Sequence, residues 1–186
     1  MPTTIDSPLP DPDWRDLRAG RHAALERLYR AHAPTLLRYG RQFARPEAVQ
    51  DAVHDLFTRI WERRTTLSPD AQPRPYLLFS LRNALIRSGK RAERVTELTE
   101  RAHARDDAPD AETRIVAEEH AEARQRTLRT ALDALSPRER ELVELRFHQG
   151  LDYDEACEVM GISYQSARNT LVRAFGKLRG RMGTNT

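Results

Sequence analysis

Residues 136–181 constrain this chain most tightly, because signals that start, stop and restart helices follow one another within a few residues. Ser136-Pro137-Arg138-Glu139 has the form of a capping box, in which Ser136 accepts from first-turn N–H groups and Glu139 reaches back to the Ser136 amide. Pro137 falls at the first helical position, where a missing N–H costs nothing. Gly150 follows Gln149 as a left-handed stop. A second helix is predicted from about Asp152 to Met160, with acids in its first turn. Gly161-Ile162-Ser163 makes a tight turn, and Ser163 can cap a third helix from about Tyr164 to Arg179. Helix, short glycine-containing turn and helix is the spacing of a DNA-reading unit, whose second helix enters the major groove.

The third helix makes DNA the favoured partner. Ala167, Leu171, Ala174 and Leu178 recur at helical spacing and are predicted to face the core. Arg168, Arg173, Lys177, Arg179 and Arg181 fall largely on other faces, and no Asp or Glu lies between Ser163 and Arg181. The preceding helix is acidic instead, with Asp152, Asp154, Glu155 and Glu158. That split offers one positive face to phosphates and turns a negative face away. Tyr164, Gln165, Ser166, Arg168 and Asn169, near the start of the helix, can address base edges. The blander alternative is a solvated basic face on an ordinary three-helix bundle.

At 186 residues the chain suits one domain or two small ones. Its net charge of +3 is modest, so the local distribution of charge carries the argument for nucleic acid. Cys157 is the only cysteine, which excludes an internal disulfide and fits a reducing compartment. Its place in an apolar helical pattern predicts a small buried side chain. No apolar run approaches the roughly 18 residues of a membrane span. The first twelve residues lack the basic and apolar regions of a signal peptide. Residues 1–20 read as a disordered tail, and the expectation is a soluble, cytoplasmic protein.

Aromatic residues divide the chain. They cluster from Tyr29 to Phe79 and again from Phe147 to Phe175, with none between Arg82 and Arg146. That gap includes Glu97 to Glu122, with nine acids against Arg101, Arg105 and Arg114. The reading is all-α: a helical domain over 21–94, an acidic and partly helical linker over 95–126, and a second helical domain over 127–182. Residues from about Ala111 to Ala134 have helical composition. In the first domain, Leu25, Leu28 and Tyr29 open an amphipathic stretch that Pro34 is expected to interrupt. Leu36, Leu37, Tyr39 and Phe43 continue it. Pro46-Glu47 starts a helix to about Arg64, with Val49, Val53, Leu56, Phe57, Ile60 and Trp61 on one face. Thr65 to Pro75 reads as a loop, and a further helix runs from about Pro75 through Arg91.

That last helix ends in a basic cluster of Arg82, Arg87, Lys90, Arg91 and Arg94, opposed only by Glu93. Tyr76 and Phe79 stand just before it. Cations beside aromatics suit single-stranded DNA, where bases stack on rings; the alternative is two core aromatics and a basic helix C-terminus. Asp51, His54 and Asp55 share a face at i, i+3 and i+4. A metal site needs more ligands converging from another element, so a polar exposed face or a docking face is the better reading.

Taken together these segments resemble bacterial RNA polymerase sigma factors of the extracytoplasmic-function (ECF) group of the sigma-70 family. The likeness covers about Ala23 to Arg91 and Leu128 to Arg179. Ala24-Leu25-Glu26-Arg27-Leu28-Tyr29, then Ala33-Pro34 and Leu36-Leu37-Arg38-Tyr39, resemble the opening of the σ2 domain. Asp51-Ala52-Val53-His54-Asp55-Leu56-Phe57 with Trp61 resembles its core-binding helix. Arg82-Asn83 with Lys90-Arg91 resembles the segment near the −10 element. Leu132 through Phe147 and Gly161 through Leu178 resemble the σ4 domain. The chain departs from the family's common pattern at His54, often Gln; at Arg87, often Asp; and at Tyr164 to Asn169.

The resemblance implies a binding protein with no catalysis, cofactor or metal of its own. Asp51, His54, Asp55, Phe57 and Trp61 would dock the polymerase β′ clamp. Ser166, Arg168, Asn169 and Arg173 would read the −35 element of promoter DNA, with Lys177 and Arg179 holding phosphates. Tyr76, Arg82, Asn83, Arg87, Lys90 and Arg91 would take the −10 strand, and the 65–75 loop would hold a displaced base. The acidic linker would follow the RNA-exit path. Implied partners are core polymerase through the β′ clamp and β flap, promoter DNA and an anti-sigma factor. A helix-turn-helix regulator that acts without polymerase would explain residues 136–181 equally well, but would leave the 51–61 helix unexplained. A metal-dependent hydrolase using His54 and Asp55 lacks a phosphate loop, a nucleophile elbow and a paired His/Cys set.

Overall fold

The computed structural model describes residues 11–96 and 131–182. Every regular element among the described residues is helical, in keeping with the all-α reading. The chain divides into two compact units, residues 1–97 and 98–186. The 97–126 stretch of the expected acidic linker lies outside the described residues.

The first unit contains α1 (Pro12–Arg18), α2 (His22–Gly40), α3 (Pro46–Glu62), a 3-10 turn at Arg64–Thr66, and α4 (Pro73–Thr96). Helix α2 packs against the other three, and α3 and α4 pack on each other. Their inner faces meet through Leu28, Leu36, Tyr39, Val53, Leu56, Ile60, Leu78 and Leu81, all buried. Gly40 is required where α2, α3 and α4 converge: a Cβ there would collide with the Val49 side chain and press on Leu85.

Three sequence expectations change here. Residues 12–18, read as part of a disordered tail, form α1. Asp11 caps it by accepting from the amides of Asp13 (2.8 Å) and Trp14 (3.1 Å), and Trp14 and Leu17 are buried. Pro34 does not interrupt α2, which runs unbroken through it. Pro34 is exposed, so water can satisfy the carbonyl that loses its partner. Helix α4 starts at Pro73 rather than Pro75. Both prolines fall in the first turn, whose N–H groups have no intrahelical acceptor, and the loop shortens accordingly.

In the second unit, residues 131–133 are helical and are the described end of the helix expected over 111–134. Then come α5 (Pro137–Val143), a π-helical turn (Glu144–His148), α6 (Tyr153–Met160) and α7 (Tyr164–Met182). The Ser136/Glu139 capping box is formed. A second one, Asp152 with Glu155, opens α6. The first helix was expected to stay α-helical to Gln149. Instead its last turn widens, with the Gln149 amide donating to Glu144 O at 2.8 Å, before Gly150 ends it at φ 65°. Gly161 ends α6 in the left-handed conformation, φ 62°. The core combines Leu142, Leu145, Leu151, Val159, Met160 and Leu171 with the small residues Ala156, Cys157, Ala167 and Ala174.

Candidate nucleic-acid interface

Ser163 starts α7 as expected, its hydroxyl accepting from the Ser166 amide at 3.3 Å. Ala167, Leu171 and Ala174 turn inward; Leu178 is half-buried. That orientation leaves Tyr164, Gln165, Arg168, Asn169 and Arg173 exposed, with Ser166 half-buried. Gln165 Nε2 donates to Asn169 Oδ1 at 3.1 Å, joining the two amides along one face. Tyr164 packs against Tyr153 of α6, ring centres 5.3 Å apart. The base-addressing candidates Arg168 and Asn169 are therefore both exposed near the start of the helix.

Two cations make contacts within the fold that the sequence reading did not foresee. Lys177 is engaged: its Nζ donates to Glu139 Oε2 at 2.6 Å, tying α7 to the start of α5. Glu139 is buried, and the same oxygen accepts from the Ser136 amide at 2.8 Å. Burial opposes ionisation of Glu139, but Lys177 and Ser136 outweigh it and hold its pKa below the usual carboxylate value. Arg173 reaches Thr170 Oγ1 at 3.4 Å, and with Arg138 and Lys177 it lines a groove between α5 and α7. Arg138 was not singled out from the sequence, because only the packing of α5 on α7 brings it to the basic side. Arg179 and Arg181 are exposed along the last turn of α7.

The second unit also carries an exposed apolar patch that the sequence reading missed. Phe147 and Phe175 stand edge to face with centres 5.4 Å apart. They are 61% and 41% exposed, and Val172 is 65% exposed. A signal was available: Val172 and Phe175 fall outside the 167-171-174-178 pattern. Cys157 is buried, and burial together with Asp154 and Asp152 raises its thiol pKa, consistent with a structural side chain.

In the first unit, α3 presents Asp51, His54 and Asp55 on an exposed face. Phe57, grouped with them from the sequence, is buried at 5% exposure and meets Tyr29 edge to face at 5.0 Å. It supports that exposed face from beneath, because its position on the helix points into the α2 packing. Trp61 is half-buried, with His22 4.6 Å away and the Arg64 guanidinium 4.5 Å from its ring centre. Among the described residues no group of three His, Cys, Asp or Glu side chains converges to hold a metal.

Helix α4 brings Tyr76, Phe79, Asn83 and Arg87 onto one stripe, at i, i+3, i+7 and i+11. Phe79 is 39% exposed and Arg87 exposed, whereas Tyr76 and Asn83 are half-buried. Arg82 is half-buried and lies off that stripe. Lys90 and Arg91 belong to α4, but their side chains lie outside the described residues. No described helix is long and apolar enough to cross a membrane.

The description "Sigma-70 region 2" fits residues 28–95, and "Sigma-70, region 4" fits residues 125–178, together more than half of the chain. No curated protein matches in sequence. Among solved structures, the chain is similar to CnrH in complex with the cytosolic domain of CnrY, at 23% identity and a TM-score of 0.60, covering 94% of this chain and 97% of that one. It is also similar to the sigma factor RpoE in complex with the anti-sigma factor NepR from Bartonella quintana, at 16% identity and a TM-score of 0.65, covering 87% and 98%. At those identities the two structures speak for the fold, and the region matches speak for the family. The chain belongs to the sigma-70 family, with the pairing of regions 2 and 4 that its resemblance to the ECF group implies.

Proposed function

We propose that this chain is an ECF sigma factor that binds core RNA polymerase in the cytoplasm and directs initiation at promoters with its own −35 and −10 elements. The observation that carries the reading is the capped, acid-free helix α7, which exposes Arg168 and Asn169 near its start. Arg pairs bidentately with guanine and Asn with adenine, and each good pair discriminates by roughly 1–3 kcal/mol. These two residues, with Ser166, are the −35 readers. Arg138, Arg173 and Arg179 hold phosphates, which sets register without specifying sequence. Lys177 acts through its bond to Glu139, fixing the angle of α7.

The exposed face of α3, with Asp51, His54 and Asp55, docks the β′ clamp, and Phe57 and Trp61 hold that face in place. The exposed Phe147–Phe175 pair with Val172 forms an apolar patch of the kind that receives a protein partner, and the β flap is assigned to it. The α4 stripe takes the −10 non-template strand: Tyr76 and Phe79 offer rings to bases, and Asn83, Arg87, Lys90 and Arg91 follow the backbone. The loop before α4 holds the displaced base. The chain performs no chemistry itself. An anti-sigma factor is a further partner, since the similar sigma factor RpoE is in complex with the anti-sigma factor NepR.

In vitro transcription of a genomic-fragment library by core polymerase, with and without this protein, tests the reading. New start sites sharing upstream elements are expected. Specific DNA binding by the protein alone, with no new initiation, would leave a conventional helix-turn-helix regulator in its place.

A further inference from the structure

Helix α1 is seven residues long, yet two of its side chains reach across to the loop that precedes α4. Trp14 Nε1 donates to Ser68 O at 2.9 Å. Arg18 Nε donates to Leu67 O, also at 2.9 Å. Two consecutive backbone carbonyls of that loop are thus held by donors one helical turn apart. Trp14 is 1% exposed and meets Tyr76, in the first turn of α4, edge to face at 5.2 Å. Leu67 is buried, whereas Ser68, Pro69 and Asp70 are exposed. The loop therefore has a fixed root and a presented tip.

The root is fixed from several sides. Asp11 caps α1, and Arg27 of α2 pairs with Asp13 at 2.7 Å and with Asp16 at 3.6 Å. These exposed pairs are individually weak, but they orient the helix that carries Trp14 and Arg18. Hydrogen bonds to carbonyls constrain direction as well as distance, which burial of Leu67 alone does not.

We propose that α1 is a positioning element for base capture: Trp14 and Arg18 clamp the carbonyls of Ser68 and Leu67, so that the 68–70 tip is preset for a displaced promoter base. This rests on the assignment of that loop to base holding. Trp14 and Arg18 touch the loop and act through it. Without the clamp, the tip would have to be ordered when DNA binds, and discrimination at that base would fall.

The test uses full-length protein assembled with core polymerase. Single-stranded oligonucleotides carrying the −10 element found by transcription mapping are varied one base at a time, and affinity is measured for each. Trp14→Phe keeps the buried ring and removes the Nε1 donor. Arg18→Met keeps the stem and removes the guanidinium, and Arg18→Lys restores a donor. The double variant W14F/R18M is expected to lose about five- to tenfold in discrimination at one base, in line with two modest hydrogen bonds. Affinity for core polymerase and for duplex −35 DNA should hold, and Arg18→Lys should recover part of the loss. Should W14F not fold, Arg18→Met against Arg18→Lys carries the test. Asp70→Ala and Ser68→Ala separate the two ideas. If tip substitutions change base preference while W14F/R18M does not, the clamp is wrong and the loop assignment stands. If tip substitutions change nothing, the loop is not the base holder and both ideas fall. A uniform loss at every base would also overturn the clamp, since it would mark general destabilisation.

Discussion

Among the described residues, the first unit buries three rings in its core, whereas the second buries none. Trp14, Tyr39 and Phe57 are buried in the first, while Phe147, Tyr164 and Phe175 are exposed in the second. The polar residues reverse the pattern. The buried polar and charged residues among those described, Glu139, Glu141, Gln149 and Thr170, all belong to the second unit. The core of the first unit is therefore held mainly by shape, through interlocked large side chains, with direction imposed at its edge by the α1 hydrogen bonds to the loop before α4. The second is held more by direction, through two capping boxes, a buried carboxylate and small residues that let helices approach. A helix that must enter a groove in one register benefits from bonds that fix its angle.

That contrast can be broken by experiment. The largest effect should come from Leu81→Ala in the fully buried centre of the first unit. Loss of packing and the cavity left behind should cost about 2–5 kcal/mol in urea unfolding. Gly40→Ala comes next: the added methyl meets Val49 and Leu85, and overpacking should cost about 1–3 kcal/mol. A neutral Gly40→Ala would mean that the first unit is looser than its fitted core implies. In the second unit, Asp152→Ala removes the acceptor 2.8 Å from the Glu155 amide and should cost about 1 kcal/mol, read by hydrogen exchange at the start of α6. No loss there would undo the claim that direction matters more in this unit.

Acid should separate the units most finely. Burial pushes the His32 pKa below its usual 6.5, Asp11 partly opposes this, and Arg74 pushes it further down. The folded first unit thus binds a proton less readily than the unfolded chain. Its stability should fall as pH drops below about 6.5, and His32→Gln should flatten that slope. Glu139 has the opposite charge and a lowered pKa. Its contribution is complete above its ordinary 4.5 and is lost only as pH falls through the lowered folded value. Hydrogen exchange across a pH series should therefore show the first unit softening at milder acidity than the second.

Local signals were the legible ones. Ser136, Glu139, Gly161 and Ser163 announce their roles within a few residues, so the helix-turn-helix could be read directly. What escaped depends on distant partners. Trp14 and Leu17 look like isolated apolar residues in a polar tail until α2 and the loop before α4 supply their surroundings. Pro34 looks like a breaker because sequence alone does not say which side of a helix faces water. Phe57 was read on the apolar face of α3, and it is buried there. Lys177 reads as one more free cation because Glu139, its partner, is far away along the chain.

The paired capping boxes have a consequence for how the second unit comes into being. Each box chooses a helix start from four consecutive residues, and Gly161 marks the end of α6 just as locally. These boundaries need no long loop to close before they are set, and topologies rich in such short-range contacts fold quickly. During synthesis, α5 and α6 can therefore find their registers while α7 is still emerging. The Lys177–Glu139 bond joins residues far apart in the sequence, so it can form only once α7 is in place against α5.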